Sequence, residues 1–130
     1  MPSMHICLDV DETITYAPAF FAALCDRFAE ARVTIVTFRT DKTETERYLD
    51  SIGVRFDRVV VSTDPDHGKT ADQSLYEWKA NFVNRMRPDM FFEDMPEVVA
   101  RVDPSILVFM PCDEVIRDWI SCQLNVRNNK

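Results

Sequence analysis

The stretch Leu8-Asp9-Val10-Asp11-Glu12-Thr13 ends an apolar run, His5-Ile6-Cys7-Leu8, and turns it at once into an acidic loop. A short apolar run without alternation is the pattern of a strand covered on both faces, as in a parallel sheet. Working outward from it, residues 33–36, 59–61 and 106–110 repeat the pattern, and Met90–Phe92 is shorter but equally apolar. Helical spacing fills the gaps. Pro18 suits a first helical position, and Phe20, Phe21, Leu24 and Phe28 then fall on one face, with Cys25 on the apolar stripe.

A second helix is predicted over 43–52, with Tyr48, Leu49 and Ile52 apolar and Gly53 placed as the residue that ends it. The third and longest, over 72–86, carries Leu75, Trp78, Phe82 and Met86 and is closed by Pro88. A short helix starts near Pro96 and carries Val98 and Val99. A last one over 113–124 uses Val115, Ile116, Trp119 and Ile120. Five alternations of strand and helix predict a single Rossmann-like α/β/α domain over 1–130, three layers deep, with a five-stranded parallel sheet.

In such a fold ligands bind beyond the carboxyl ends of the strands, where strand order reverses. The residues just after the strands are Asp9, Asp11, Thr37, Arg39, Ser62, Asp94 and Met110, of which three are carboxylates and two are hydroxyls. Asp9 and Asp11, two positions apart, can point to the same side of the sheet edge. With Asp94 they form an acidic cluster that raises its own pKa values unless a cation compensates it. Mg²⁺ suits one or two carboxylates, water and a substrate phosphate. One acid can then attack phosphorus while the other exchanges a proton with the leaving oxygen and with water. Spacing alone does not say which does which. The plain alternative is an acidic loop capping the next helix.

Composition narrows the classes. A net charge of −7 opposes a general grip on nucleic acid, which needs a basic face. No stretch approaches the roughly 18 apolar residues of a membrane helix, and the N-terminus lacks the pattern of a secretory signal. Cys7, Cys25, Cys112 and Cys122 have no metal-ligand spacing and read as reduced small hydrophobes, pointing to a cytoplasmic protein.

Asp9-Val10-Asp11-Glu12-Thr13 after an apolar strand resembles the DxDx[TV] motif of the haloacid dehalogenase-like superfamily. The resemblance implies a Mg²⁺-dependent phosphatase working through an aspartyl-phosphate. It implies Asp9 as nucleophile and metal ligand, and Asp11 as general acid/base that lends its backbone carbonyl to the metal. Thr37, ending Val33-Thr34-Ile35-Val36-Thr37, takes the place of the hydroxyl that bonds the phosphoryl group. Phe91-Phe92-Glu93-Asp94 takes the place of the acidic pair, with Asp94 as the direct ligand and the role of Glu93 left open. For the phosphate-site lysine the choice is Lys79, 15 positions before Asp94, over Lys69, 25 positions before it.

Phe38 stands where the family often has Gly, which narrows the site or shapes a partner surface. Arg39 is read as an exposed residue paired with Asp41, with substrate phosphate as the alternative. His5 is placed at the far edge of the sheet and His67 in a solvated turn. Thr37 follows Asp9 by 28 positions, mostly helix, so no cap domain fits there or after the third strand. The site is expected to be open unless Tyr16, Phe20 or the 64–69 loop covers it. A capless member implies a large substrate or a neighbouring subunit as lid, so a phosphorylated small molecule or macromolecule and a homodimer are the partners expected. Two other classes fit less well: a Mg²⁺-binding receiver-type signalling module, whose phosphorylated Asp would follow the third strand, and a catalytically silent interaction protein on the same fold. Carbon–halogen chemistry lacks the second Asp, so Asp11 argues for phosphorus.

Overall fold

The apolar runs pair into one five-stranded sheet, every pairing parallel, in the order β3-β2-β1-β4-β5. The computed structural model describes residues 4–111, 114, 117, 118 and 120–122. Along the chain these give β1 (His5–Leu8), α1 (Pro18–Arg27), β2 (Arg32–Thr37), α2 (Lys42–Ser51), β3 (Arg58–Val61), α3 (Leu75–Met86), β4 (Met90–Phe92), α4 (Pro96–Val99) and β5 (Leu107–Phe109). The helix expected over 113–124 lies largely outside the described residues, as does Cys112. No described helix is long and apolar enough to cross a membrane.

Successive residues of a strand point to opposite faces, and the core divides accordingly. Ile6, Leu8, Val33 and Ile35 pack with Phe21 and Cys25 of α1 and Leu49 of α2. Cys7, Val36, Val60 and Phe91 pack with Trp78, Ala80, Phe82 and Val83 of α3 and Val98 of α4. This is the three-layer α/β/α arrangement expected. Both Cys7 and Cys25 are buried free thiols, and burial pushes their pKa values up.

Several local expectations are revised. In α1 the buried stripe is Phe21 and Cys25, whereas Phe20 is 54% and Phe28 39% exposed. Helix α3 starts at Leu75 rather than 72, because Ser74 and Glu77 close a capping box there. The fifth strand is shorter than 106–110. Gly53 does end α2, at φ +74°. The second glycine is required for space rather than for its backbone angle. A Cβ on Gly68 would lie 2.3 Å from the Asp64 carbonyl oxygen, so only Gly closes the turn after β3.

Strand order decides where ligands can reach. From β1 the chain winds outward to β3, then crosses back through α3 to lay β4 on the other side of β1. The switch point is therefore the cleft between β1 and β4, at their carboxyl ends. A receiver-type sheet has the order 2-1-3-4-5. The order found here is different.

Candidate functional site

Beyond Leu8 the backbone leaves the strand while the Asp9 N–H still donates to the Phe92 carbonyl at 3.0 Å. The Val10–Ile14 turn is tight, with Glu12 in the left-handed region at φ 62°. A non-glycine residue held there costs on the order of 1 kcal/mol or more and persists only where neighbours enforce it. Thr15 does so by accepting the Glu12 N–H on its Oγ1 at 2.9 Å. The turn brings Thr13 back over Asp9, and its hydroxyl donates to Asp9 Oδ2 at 2.8 Å.

Asp9 Oδ1 is held by Lys79 Nζ, which comes from the buried face of α3 and also lies 2.7 Å from Glu93 Oε1. Lys79 is wholly buried and Asp9 and Glu93 nearly so. Its ammonium also sits 4.7 Å from the centroid of the Phe38 ring, a cation–π contact. Burial alone would lower the lysine pKa, but the attraction of Asp9 and Glu93 prevails and raises it. Lys69, the competing candidate, is exposed in its loop and bonds the Thr70 carbonyl.

One oxygen each of Asp9, Glu93 and Asp94 lie within 4.8 Å of one another. Glu93 thus joins the cluster rather than standing back from it. Its Oε2 accepts the N–H groups of Asp94 and Met95, fixing the loop after β4. Its Oε1 is buried, and apart from the Lys79 ion pair no aligned hydrogen bond reaches it. Burial raises the Glu93 carboxyl against the pull of Lys79. Burial, then the adjoining Asp9 and Glu93 carboxyls, push Asp94 up to about 8. Three carboxylates gathered around one ammonium leave carboxylate oxygens in excess of donors, a set that fits a hard cation. This acidic cluster could hold a metal ion.

The Asp11 side chain is not in that cluster. It is 55% exposed and turned toward Arg39, whose Nη2 lies 2.8 Å from Oδ1 and Nε 3.0 Å from Oδ2. The expected pairing of Arg39 with Asp41 is wrong, because Asp41 instead caps α2 by accepting the Glu44 N–H. Thr37, fully buried at the end of β2, accepts the Arg39 N–H on Oγ1 at 3.1 Å and keeps its own hydroxyl proton.

A cavity of about 90 Å³ at this edge is lined by Asp9, Asp11, Glu12, Phe38, Glu93, Asp94 and Met95. Phe38 forms part of its wall. Neither Tyr16 and Phe20 nor the 64–69 loop lines it. The two aromatic side chains border a neighbouring apolar cleft of about 290 Å³ with Phe21, Phe92 and Phe109.

The structure thus unites Asp9, Lys79 and Asp94, with Thr37 at the next strand end, and holds Asp11 apart on the rim. Thr13, Phe38, Arg39 and Glu93 were visible as residues but their contacts were not. Glu93 had the clearest signal, an acid continuing a strand as apolar as Met90-Phe91-Phe92.

Fold and site define the class: a parallel α/β domain of Rossmann-like topology with a buried lysine–carboxylate cluster at its switch point. No protein-family model and no curated protein sequence matches the chain. Among solved structures it is similar to a chain of a Pnkp1/Rnl/Hen1 complex, with 14% identity and a TM-score of 0.63, over 85% of this chain and 46% of the other. A chain of the Pnkp1/Rnl/Hen1 RNA repair complex is similar at 16% identity and a TM-score of 0.57, over 85% and 42%. These likenesses concern the fold. The chain spans less than half the length of either.

Proposed function

We propose that the chain is a capless, Mg²⁺-dependent phosphohydrolase of the haloacid dehalogenase-like kind, with Asp9 as nucleophile. The observation that carries this is the state of Asp9: a nearly buried carboxylate with one oxygen on Lys79, the other on the Thr13 hydroxyl, and two further acids beside it. A structural ion pair has no need of the extra acids, which cost stability where they stand. A carboxylate oriented at a strand end, beside a cavity of about 90 Å³, is suited to attack phosphorus.

In the first half-reaction an Asp9 oxygen bonds to phosphorus as the ester P–O bond breaks, and Asp11 gives its proton to the departing oxygen. In the second, water bonds to phosphorus, Asp11 takes its proton, and the Asp9–phosphorus bond breaks to release inorganic phosphate. Lys79 orients Asp9 and offsets the charge of the phosphoryl group. Thr37 donates its hydroxyl proton to a phosphoryl oxygen. Asp9, Asp94 and the Asp11 carbonyl would hold the Mg²⁺, with Glu93 close by, and the ion supplies positive charge against the phosphoryl oxygens.

The solved chains of similar fold belong to complexes, one of them described as an RNA repair complex. A phosphorylated oligonucleotide therefore belongs beside small phosphomonoesters in a substrate panel, although the net charge of −7 disfavours it. The test is phosphate release from that panel with Mg²⁺, with EDTA and with Asp9→Asn. The expected result is release that needs Mg²⁺ and falls to background in the variant. Release that survives Asp9→Asn would remove Asp9 as nucleophile, and silence across the panel would count against the phosphohydrolase itself.

A further inference from the structure

We infer that Arg39 is the positioning residue for Asp11: its guanidinium fork, rather than a contact to substrate phosphate, sets where the proton-transferring carboxylate sits. This rests on the phosphohydrolase reading and extends it to a residue outside the lysine–carboxylate cluster.

Asp11 needs such a partner. It occupies an exposed loop next to a left-handed Glu12, and among the described residues Arg39 is the one side chain that hydrogen-bonds it. Three donor–acceptor contacts of 2.8, 3.0 and 3.3 Å engage both carboxylate oxygens. Such a fork fixes the plane of a carboxylate as well as its distance, which a single hydrogen bond does not.

Arg39 is itself built in. Its N–H is bonded to Thr37 Oγ1, and its carbonyl accepts the Ser62 N–H at 3.1 Å, tying the loop after β2 to the end of β3. Ser62 Oγ donates to the Phe38 carbonyl at 3.1 Å. The guanidinium carbon lies 5.2 Å from the centroid of the Tyr48 ring on α2. A side chain stacked on a ring and anchored through its backbone loses little freedom when it grips a partner. The arginine therefore transmits the rigid β2–β3 edge to a carboxylate that its own loop leaves exposed.

Two roles for Arg39 separate in kinetics. A residue that positions Asp11 acts on kcat, whereas a phosphate ligand acts on KM. General acid–base catalysis contributes roughly 10²–10⁴-fold, so misplacing the carboxylate in Arg39→Ala should cost kcat about 10–100-fold, with KM changed less than about twofold. On an Asp11→Asn background the same substitution should change kcat less than about twofold, because the group it positions is already lost. Arg39→Lys should recover only part of the loss, since an ammonium cannot form the fork, and added guanidinium ion should partly rescue Arg39→Ala.

The measurement is steady-state kinetics of the four chains (native, each single variant and the double variant) on the best phosphomonoester of the panel with Mg²⁺. The urea midpoint of Arg39→Ala, compared with the native chain, separates a folding defect, and the Lys variant serves if Ala unfolds the chain. A KM rise with kcat retained, or a full Arg39→Ala effect on the Asp11→Asn background, would overturn the positioning role and leave the phosphohydrolase standing. Absence of Asp9-dependent turnover in the native chain would overturn both.

Discussion

Lys79→Met takes the one ammonium out of the buried cluster and leaves Asp9 and Glu93 facing each other without it. Removing one partner of a buried ion pair costs about 3–5 kcal/mol, because the charge left behind has neither water nor a counter-ion. The cost has a ceiling, since an orphaned carboxylate can take up a proton. From an ordinary Glu pKa of about 4.3, that proton costs about 3.7 kcal/mol at pH 7 and about 1 kcal/mol at pH 5. The loss should therefore be about 3–4 kcal/mol at pH 7, held near that ceiling, and clearly smaller at pH 5. The sign follows from linkage: in the variant the folded carboxyl titrates above its unfolded value, so stability is lost as pH rises.

The assay is urea unfolding in EDTA at both pH values. With an m-value of about 1.5 kcal/mol per M, the midpoint at pH 7 should fall by roughly 2–3 M. Glu93→Gln added to Lys79→Met removes one orphaned charge while an amide oxygen still serves the Asp94 and Met95 N–H groups. It should restore at least about 1 kcal/mol. A deficit below about 1 kcal/mol at pH 7, or one that does not change with pH, would refute the role of Lys79 as the buried counter-ion.

Two further predictions concern the frame around the site. Gly68→Ala places a Cβ 2.3 Å from the Asp64 carbonyl oxygen and 2.9 Å from that of Ser62, so the turn after β3 must shift. About 1–3 kcal/mol of destabilisation is expected, read by calorimetry as a fall in Tm of roughly 4–12 °C; an unchanged Tm would show that the turn adapts freely. At the opposite edge, burial and then Arg32 and Arg58 hold the pKa of His5 below its usual 6.5, and its Nε2 lies 2.8 Å from Thr34 Oγ1. A depressed folded pKa means that the contribution of neutral His5 is complete above about pH 6.5 and is lost as pH falls toward the lower folded value. His5→Gln should therefore flatten the decline in urea midpoint between about pH 7.5 and about pH 5. Parallel curves for native chain and variant would remove His5 as the cause.

How far the sequence could be read depends on the range of the interaction concerned. Apolar runs and helical spacing are local, so the five strands were legible to within a residue at either end, as were the α1 start at Pro18 and the α2 stop at Gly53. The acidic loop after β1 was legible for the same reason. Apolar spacing predicts three residues too many at the start of α3, because it does not register the Ser74–Glu77 capping box as a boundary. Phe20 and Phe28 share a helical face with Phe21 and Leu24 by spacing yet stay exposed, because spacing does not say how much of that face the sheet covers.

The sequence by itself determined the class of the fold, the loop that carries Asp9, and the donor types available at the strand ends, because backbone periodicity and hydrogen-bonding chemistry are properties of short segments. Tertiary structure alone decided that β4 returns beside β1, bringing Glu93 and Asp94 to Asp9. The fold also carries Lys79, the lysine preferred over Lys69 from the sequence, across the 70 positions that separate it from Asp9. Arg39 meets Asp11 rather than Asp41 for the same reason: the Asp41 carboxylate is already used as a helix cap, and β2 lies against β1. Charged groups choose partners by distance and competing hydrogen bonds in the folded chain, and neither is written in their spacing along it.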